Sequence, residues 1–156
     1  MCKFMIALAT AVSIVISPTA FTQHYGTAEQ AKAMLMRAVV AVRADKTKAL
    51  EMFNQGTGGF REGDLYPFCF NISDGKIVAM GNPNGKQLLG QDSRTFKDVT
   101  GKEFGREQFA AVVRPEGQIT EVTYLFPKPG ADKTPVAKVS LMTRVGDLIC
   151  GVGYYK

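Results

Sequence analysis

The chain has 156 residues, 46% of them hydrophobic, which suits one globular domain with a core of its own rather than a disordered chain. Sixteen glycines and seven prolines favour a loop-rich β or α+β protein. The net charge of +5 is modest and no run of like charges occurs, so no nucleic-acid partner is expected.

In chain order, Lys3 precedes the apolar run Phe4 to Ile16, and Ser17-Pro18-Thr19-Ala20 follows with small residues and a helix breaker. That is the outline of a secretory signal peptide over residues 1–20, cleaved near Ala20. An uncleaved anchor is the alternative, although the run is shorter than the ~20 residues that span a bilayer. A periplasmic or secreted protein, with no membrane insertion after signal cleavage, is therefore expected. Export would remove Cys2 and leave Cys69 and Cys150 in an oxidising compartment, where such a pair is a disulfide candidate. Nothing resembles a CxxC or Cys/His cluster, so no metal site is expected.

Residues 21–26 read as a polar leader. Thr27 then opens a helix, with Gln30 placed to complete a capping box. Ala31, Leu35, Ala38, Val42, Ala49 and Phe53 form its apolar stripe, widened by Met34 and Val39. Asp45-Lys46-Thr47-Lys48 interrupts the stripe, so the helix bends or restarts there, and the glycines from Gly56 to Gly59 stop it. A long helix with one apolar stripe must lie along a sheet.

Leu65 to Met80 reads as a hairpin turning at Asp74-Gly75. A two-residue turn would set Ile72 opposite Ile77, Phe70 opposite Ala79 and Phe68 opposite Gly81, with Cys69 opposite Met80 on the other face. Both faces are apolar, so the hairpin should be covered on two sides. An irregular stretch follows, with a turn at Asn82-Pro83-Asn84-Gly85 and Leu88-Leu89 as a buried anchor. A second helix is expected from Thr100, with Glu103 completing a capping box, to about Val113. It would bury Phe104, Val112 and either Gln108 or Phe109.

Three strands complete the chain. Gln118 to Phe126 alternates, placing Thr120, Val122, Tyr124 and Phe126 on one face. Pro135 to Val145 returns, and a tight turn at Gly146-Asp147 leads into Leu148 to Tyr155. That turn pairs Thr143 with Cys150, Leu141 with Val152 and Val139 with Tyr154. Lys138, Ser140, Met142 and Arg144 then share the opposite face with Gly151 and Gly153. The order of elements implies an α+β domain with one antiparallel five-stranded sheet, its first and last strands adjacent in the middle.

Five stretches in this order and spacing are similar to the single Cache family of extracellular, PAS-like ligand-sensing domains: Tyr66–Pro83 (YPFCFNISDGKIVAMGNP), Leu88–Asp92 (LLGQD), Thr100–Phe104 (TGKEF), Thr123–Gly130 (TYLFPKPG) and Val136–Tyr155. The resemblance covers residues 27–156, read as one sensor domain. It implies a long N-terminal helix packed on a sheet of order 2-1-5-4-3, a loop and short helix on the other face, and a pocket there for a small organic ligand. Relatives often carry His before the Pro of the loop, where this chain has Asn82-Pro83. Receptor Cache domains continue into a second transmembrane helix and a signalling module, whereas this sequence stops at Lys156.

The expected ligand-binding residues follow from the strand faces and the resemblance together. Lys138, beside Gly151, Gly153, Phe68 and Phe70, could grip a carboxylate, or else snorkel past the edge to solvent. Tyr124 and Phe126 match the family's pocket-flanking aromatics, although core packing would explain them equally. Tyr66, Met80 and Asn82 are further candidates, and Arg144, beside a tight turn, is expected to be exposed. Adjacency of the first and last strands would join Cys69 to Cys150, against the alternative of two buried free thiols.

Gly151-Val152-Gly153 lacks the helix of a dinucleotide fingerprint, and Gly56–Gly59 lacks the Lys-Ser/Thr of a phosphate loop. The only histidine, His24, lies in the leader, and no catalytic set is visible. No enzyme activity and no cofactor are expected. The leading expectation is an exported binding domain for a small polar metabolite, an organic anion such as an organic acid, with a membrane receptor as partner. The alternative is an interaction protein with a closed pocket that regulates a partner through its long helix.

Overall fold

The computed structural model describes residues 25–156. The segment read as a signal peptide, with Cys2, and the leader as far as His24 lie outside the described residues. Thr27 caps the first helix, α1 (Ala28–Ala44): its hydroxyl accepts from the Gln30 amide while the Gln30 side chain accepts from that of Thr27. The interrupted stripe produces a restart. Asp45 takes an extended backbone that ends α1, and its carboxylate accepts from Lys48 N to open α2 (Lys46–Gln55). Gly56 closes α2 in the left-handed region that side chains disfavour.

The strands are β1 (Pro67–Asn71), β2 (Ile77–Met80), β3 (Thr120–Pro127), β4 (Pro135–Val145) and β5 (Leu148–Tyr155), in one five-stranded antiparallel sheet of order β2-β1-β5-β4-β3. The β4–β5 register is the expected one, with Thr143 opposite Cys150 and Val139 opposite Tyr154. The β1–β2 register is not. The loop runs from Ile72 to Gly75, closed by Asn71 N donating to Lys76 O, so Phe70 pairs with Ile77 rather than Ala79. Ile72 leaves the hairpin altogether and donates its N–H to Asp147 O.

A bulge between the Phe70–Ile77 and Cys69–Ala79 pairs then sets Phe68 opposite Met80. Because successive side chains alternate in face, that extra residue turns Ile77 and Met80 to the same side and Ala79 to the other. The Asn54 side chain of α2 spans the bulge, donating to Val78 O and accepting from Met80 N.

One sheet face is filled by α1 and α2. Met34, Leu35, Ala38 and Phe53 pack there on Val139, Leu141, Leu148 and Val152. Cys69 and Cys150 face this side as direct partners across β1 and β5, with Cα atoms 4.1 Å apart, and are joined by a disulfide. Tyr25 and Gly26, at the end of the stretch read as leader, are also packed: Gly26 N donates to Asp64 at 2.7 Å and the Tyr25 ring meets that of Tyr155 edge-on.

The opposite face carries a roof of loop, short 3-10 turns at Pro83–Leu88 and Ser93–Thr95, and the helix α3 (Phe104–Phe109). Leu88 is half-buried but Leu89 is 38% exposed, so only the first of the expected pair anchors the loop. The helix begins at Phe104 instead of Thr100, because the Asp98 carboxylate takes both the hydroxyl and the amide of Thr100 and leaves no cap for a longer helix. It ends at Phe109 and tightens into a 3-10 turn over Ala110–Val113. Gln108 is buried and Phe109 partly so. Gly105 permits the close packing of α3 on the roof, since a side chain there would collide with the carbonyl oxygen of Ser93.

The disulfide ties residues 81 positions apart, for which the chain-entropy argument gives roughly 4 kcal/mol. Replacing both Cys69 and Cys150 by Ala should therefore lower the unfolding free energy by about 2–4 kcal/mol in denaturant titrations. Equal stability of the parent and this double variant would contradict the bridge.

Candidate ligand-binding site

Between the roofed face and the roof lies a cavity of about 490 Å³. All of the expected residues line it: Lys138, Tyr124, Phe126, Phe68, Phe70, Tyr66, Met80 and Asn82. Strand parity brings most of them together. Phe68 and Phe70 alternate with the disulfide on β1, Tyr124 and Phe126 share the inward face of β3, and Lys138 shares the face of Ser140 and Met142 on β4. Arg144 stands apart, exposed, with its guanidinium donating to Gly146 O.

Lys138 does not snorkel. It is only 3% exposed, its ammonium donating to the hydroxyls of Tyr66 at 3.4 Å and Tyr155 at 3.5 Å. The rings of Tyr66, Phe126 and Tyr155 surround the nitrogen with centroids 4.6–5.2 Å away, within cation–π range. The glycine at 153 makes this pose available, since a Cβ there would come within 2.7 Å of Lys138 Cε. Neither glycine leaves empty volume above the sheet. Lys138 occupies the room over Gly153, and Met142 and Phe68 occupy that over Gly151.

Burial is the largest influence on the Lys138 ammonium and acts against its charge, but the phenol groups of Tyr66, Tyr124 and Tyr155 together outweigh it and lift the pKa. The net direction is upward, towards the ammonium. Burial also pushes the Tyr124 and Tyr155 phenols upward, so they meet the ammonium as neutral dipoles rather than as anions. Tyr155 donates to Pro127 O at 2.7 Å, and the Tyr124 hydroxyl bonds the Ser140 hydroxyl at 3.0 Å. No carboxylate among the described residues pairs with Lys138. It is a buried side chain with hydroxyl acceptors and aromatic faces around it and no counter-charge among the described residues.

Asn82 is divided between two tasks. Its oxygen accepts from Asn84 N, capping the turn at Pro83, while its amide nitrogen reaches the Tyr66 hydroxyl at 3.5 Å. The roof contributes wall residues that strand parity could not reveal, among them Phe96, Phe104 and Gln108. Phe104 stacks flat on Tyr124, centroids 4.2 Å apart, which fixes one end of the roof to the sheet. Phe104 and Gln108 are buried as expected, although the helix that carries them begins four residues after Thr100 and has no side-chain cap from Glu103. Among the described residues, no cluster of His, Cys, Asp or Glu could hold a metal ion, and no helix is long and apolar enough to cross a membrane.

No family model matches the sequence, and no curated protein matches it at a significant level. Solved structures do. A periplasmic sensor domain of a chemotaxis protein superposes with a TM-score of 0.59 at 25% identity, covering 81% of this chain and 88% of that one. A methyl-accepting chemotaxis protein from Vibrio parahaemolyticus RIMD 2210633 has the same fold, with a TM-score of 0.61 at 20% identity over 81% and 86% of the two chains. A Cache chemosensory domain, whose structure is described as the basis for carboxylic acid recognition, superposes at 0.56 with 26% identity, again over 81% and 86%.

The roof is held to the sheet at its free β3 edge by Asp98, whose carboxylate accepts from Leu125 N at 3.0 Å and from Thr100. These bonds, the one from Leu125 foremost, lower its pKa to about 2. A folded pKa below the unfolded value contributes stability that is complete above about pH 4 and lost as pH falls towards the folded value. Unfolding stability should therefore drop more steeply between pH 4 and pH 2 in the parent than in Asp98→Asn. Parallel pH profiles would contradict this role.

Proposed function

We propose that this chain, which has the fold of the single Cache sensor domains, is an exported sensor for a small organic acid. The Lys138 ammonium would receive the ligand's carboxylate, and the loaded domain would act on a membrane receptor. One observation carries the reading: a protonated lysine, almost wholly buried, stands in an open and largely apolar cavity with no anionic partner among the described residues. Leaving a charge out of water without a partner is costly, and a carboxylate would supply the missing one through charge-assisted hydrogen bonds. The Tyr66 hydroxyl and the Asn82 amide stand close enough to bond its second oxygen. The likeness to a Cache domain described for carboxylic acid recognition supports the same chemistry.

The alternative of an interaction domain working through its long helix draws on Met36 and Val40, which are 42% and 64% exposed on α1. Its premise of a closed pocket is not favoured by a cavity of about 490 Å³.

Calorimetric titration of the full chain with a panel of carboxylates, and with the matching primary amides, tests the proposal. Carboxylates should bind, and Lys138→Met should weaken them by roughly tenfold to a hundredfold, the range for hydrogen bonds to a charged group. The variant should remain at least as stable as the parent, because Met fills the stem's volume without a buried charge. Carboxylates that bind Lys138→Met as tightly as the parent would contradict the proposal.

A further inference from the structure

The cavity's one buried charge, among the described residues, is Lys138. Tyr66 and Asn82 gather with it at one pole, the ammonium 3.4 Å from the Tyr66 hydroxyl and the Asn82 amide nitrogen 3.5 Å from the same oxygen. Away from that pole the wall is mostly Phe68, Phe70, Ile77, Met80, Phe96 and Phe104, with the neutral side chains of Gln108 and Thr95 among them. The other basic residue on the lining, Lys97, is exposed and already paired with Glu103 at 2.9 Å. Among the described residues, no aspartate or glutamate lines the cavity.

Resting on the reading of Lys138 as the carboxylate's partner, we infer that the ligand is a monocarboxylate with an extended apolar tail of at least about four carbons, rather than a two- or three-carbon acid, a dicarboxylate or an amino acid. A second carboxylate would enter the aromatic end with no cation to meet it, and an α-ammonium would find no acid to pair with. Size points the same way. At ~30 Å³ per water, a cavity of about 490 Å³ holds the equivalent of roughly sixteen waters. A two-carbon acid would neutralise the ammonium yet leave most of the aromatic wall wet. A longer tail displaces that water and gains affinity with each methylene buried. The bulge in β2 serves this end, since it turns both Ile77 and Met80 into the apolar half.

A homologous series on the full chain tests the tail separately from the carboxylate. Affinity should rise from acetate through butanoate to hexanoate, by roughly fourfold per methylene. Succinate and norleucine should each bind at least about tenfold more weakly than hexanoate, the penalty of an unpaired buried group. Phe96→Ala, at the half-buried rim, should weaken hexanoate by a larger factor than acetate.

Acetate as tight as hexanoate, or succinate or norleucine within about threefold of it, would overturn the tail and leave the carboxylate reading standing, provided Lys138→Met still abolishes acetate binding. A methylene gain that persists in Lys138→Met would mark unspecific partitioning and overturn the tail as well. Hexanoate weakened by no larger a factor than acetate in Phe96→Ala would overturn its placement. If hexan-1-ol matches hexanoate, or if no acid binds, the carboxylate reading falls with it.

Discussion

A lysine laid flat across a glycine governs what this fold can do. The stem of Lys138 runs over Gly153 on the neighbouring strand, and the charge ends among phenol groups and ring faces instead of in water. Any side chain at 153 would compete for the same space. Neutral hydroxyls and quadrupoles ease the burial of the charge without cancelling it, because neither supplies a full opposing charge. On the proposed reading the site is poised for an anion: its donors are oriented before anything binds, so little would have to be reorganised on arrival.

The two faces of the sheet divide the work. One face is packed solid by α1 and α2 and stapled across its central strands by Cys69–Cys150, which gives the site a rigid floor. The other is bridged by a roof held at a few points: Phe104 stacked on Tyr124, Asp98 on the β3 edge, and Arg94 joining Asp92 to the carbonyl of Asp74. A roof fastened by contacts of this kind can leave a cavity beneath it, where a helix with a continuous apolar stripe would have closed it.

Much of this was legible in the sequence, for definite reasons. Alternation along Thr120–Phe126 sets Tyr124 and Phe126 on one face of β3, and the tight turn at Gly146-Asp147 sets Lys138 on the face of Gly151 and Gly153; that both faces meet at one pocket was implied by the resemblance and not by parity. Asp45 announced the helix restart through its position in the interrupted stripe. The hairpin at Asp74-Gly75 was misleading. Asp-Gly serves a longer loop as readily as a two-residue one, and an unforeseen bulge then moved Met80 from the disulfide's face to the pocket's. Phe104 and Gln108 were expected on the buried side of a helix, but Phe96 was not foreseen, because the short turns before that helix have no periodicity to read. Thr100 matched a capping box in sequence, yet Asp98 stood two residues away and took its hydrogen bonds first.

The account depends on where a bound carboxylate comes to rest. A crystal structure of the chain with hexanoate measures it directly. The account places a carboxylate oxygen within about 2.7–3.2 Å of Lys138 Nζ, with the tail directed towards Phe70 and Phe104. A carboxylate lodged at the cavity mouth, or elsewhere on the surface, with the Lys138 ammonium still held only by Tyr66 and Tyr155, would contradict it.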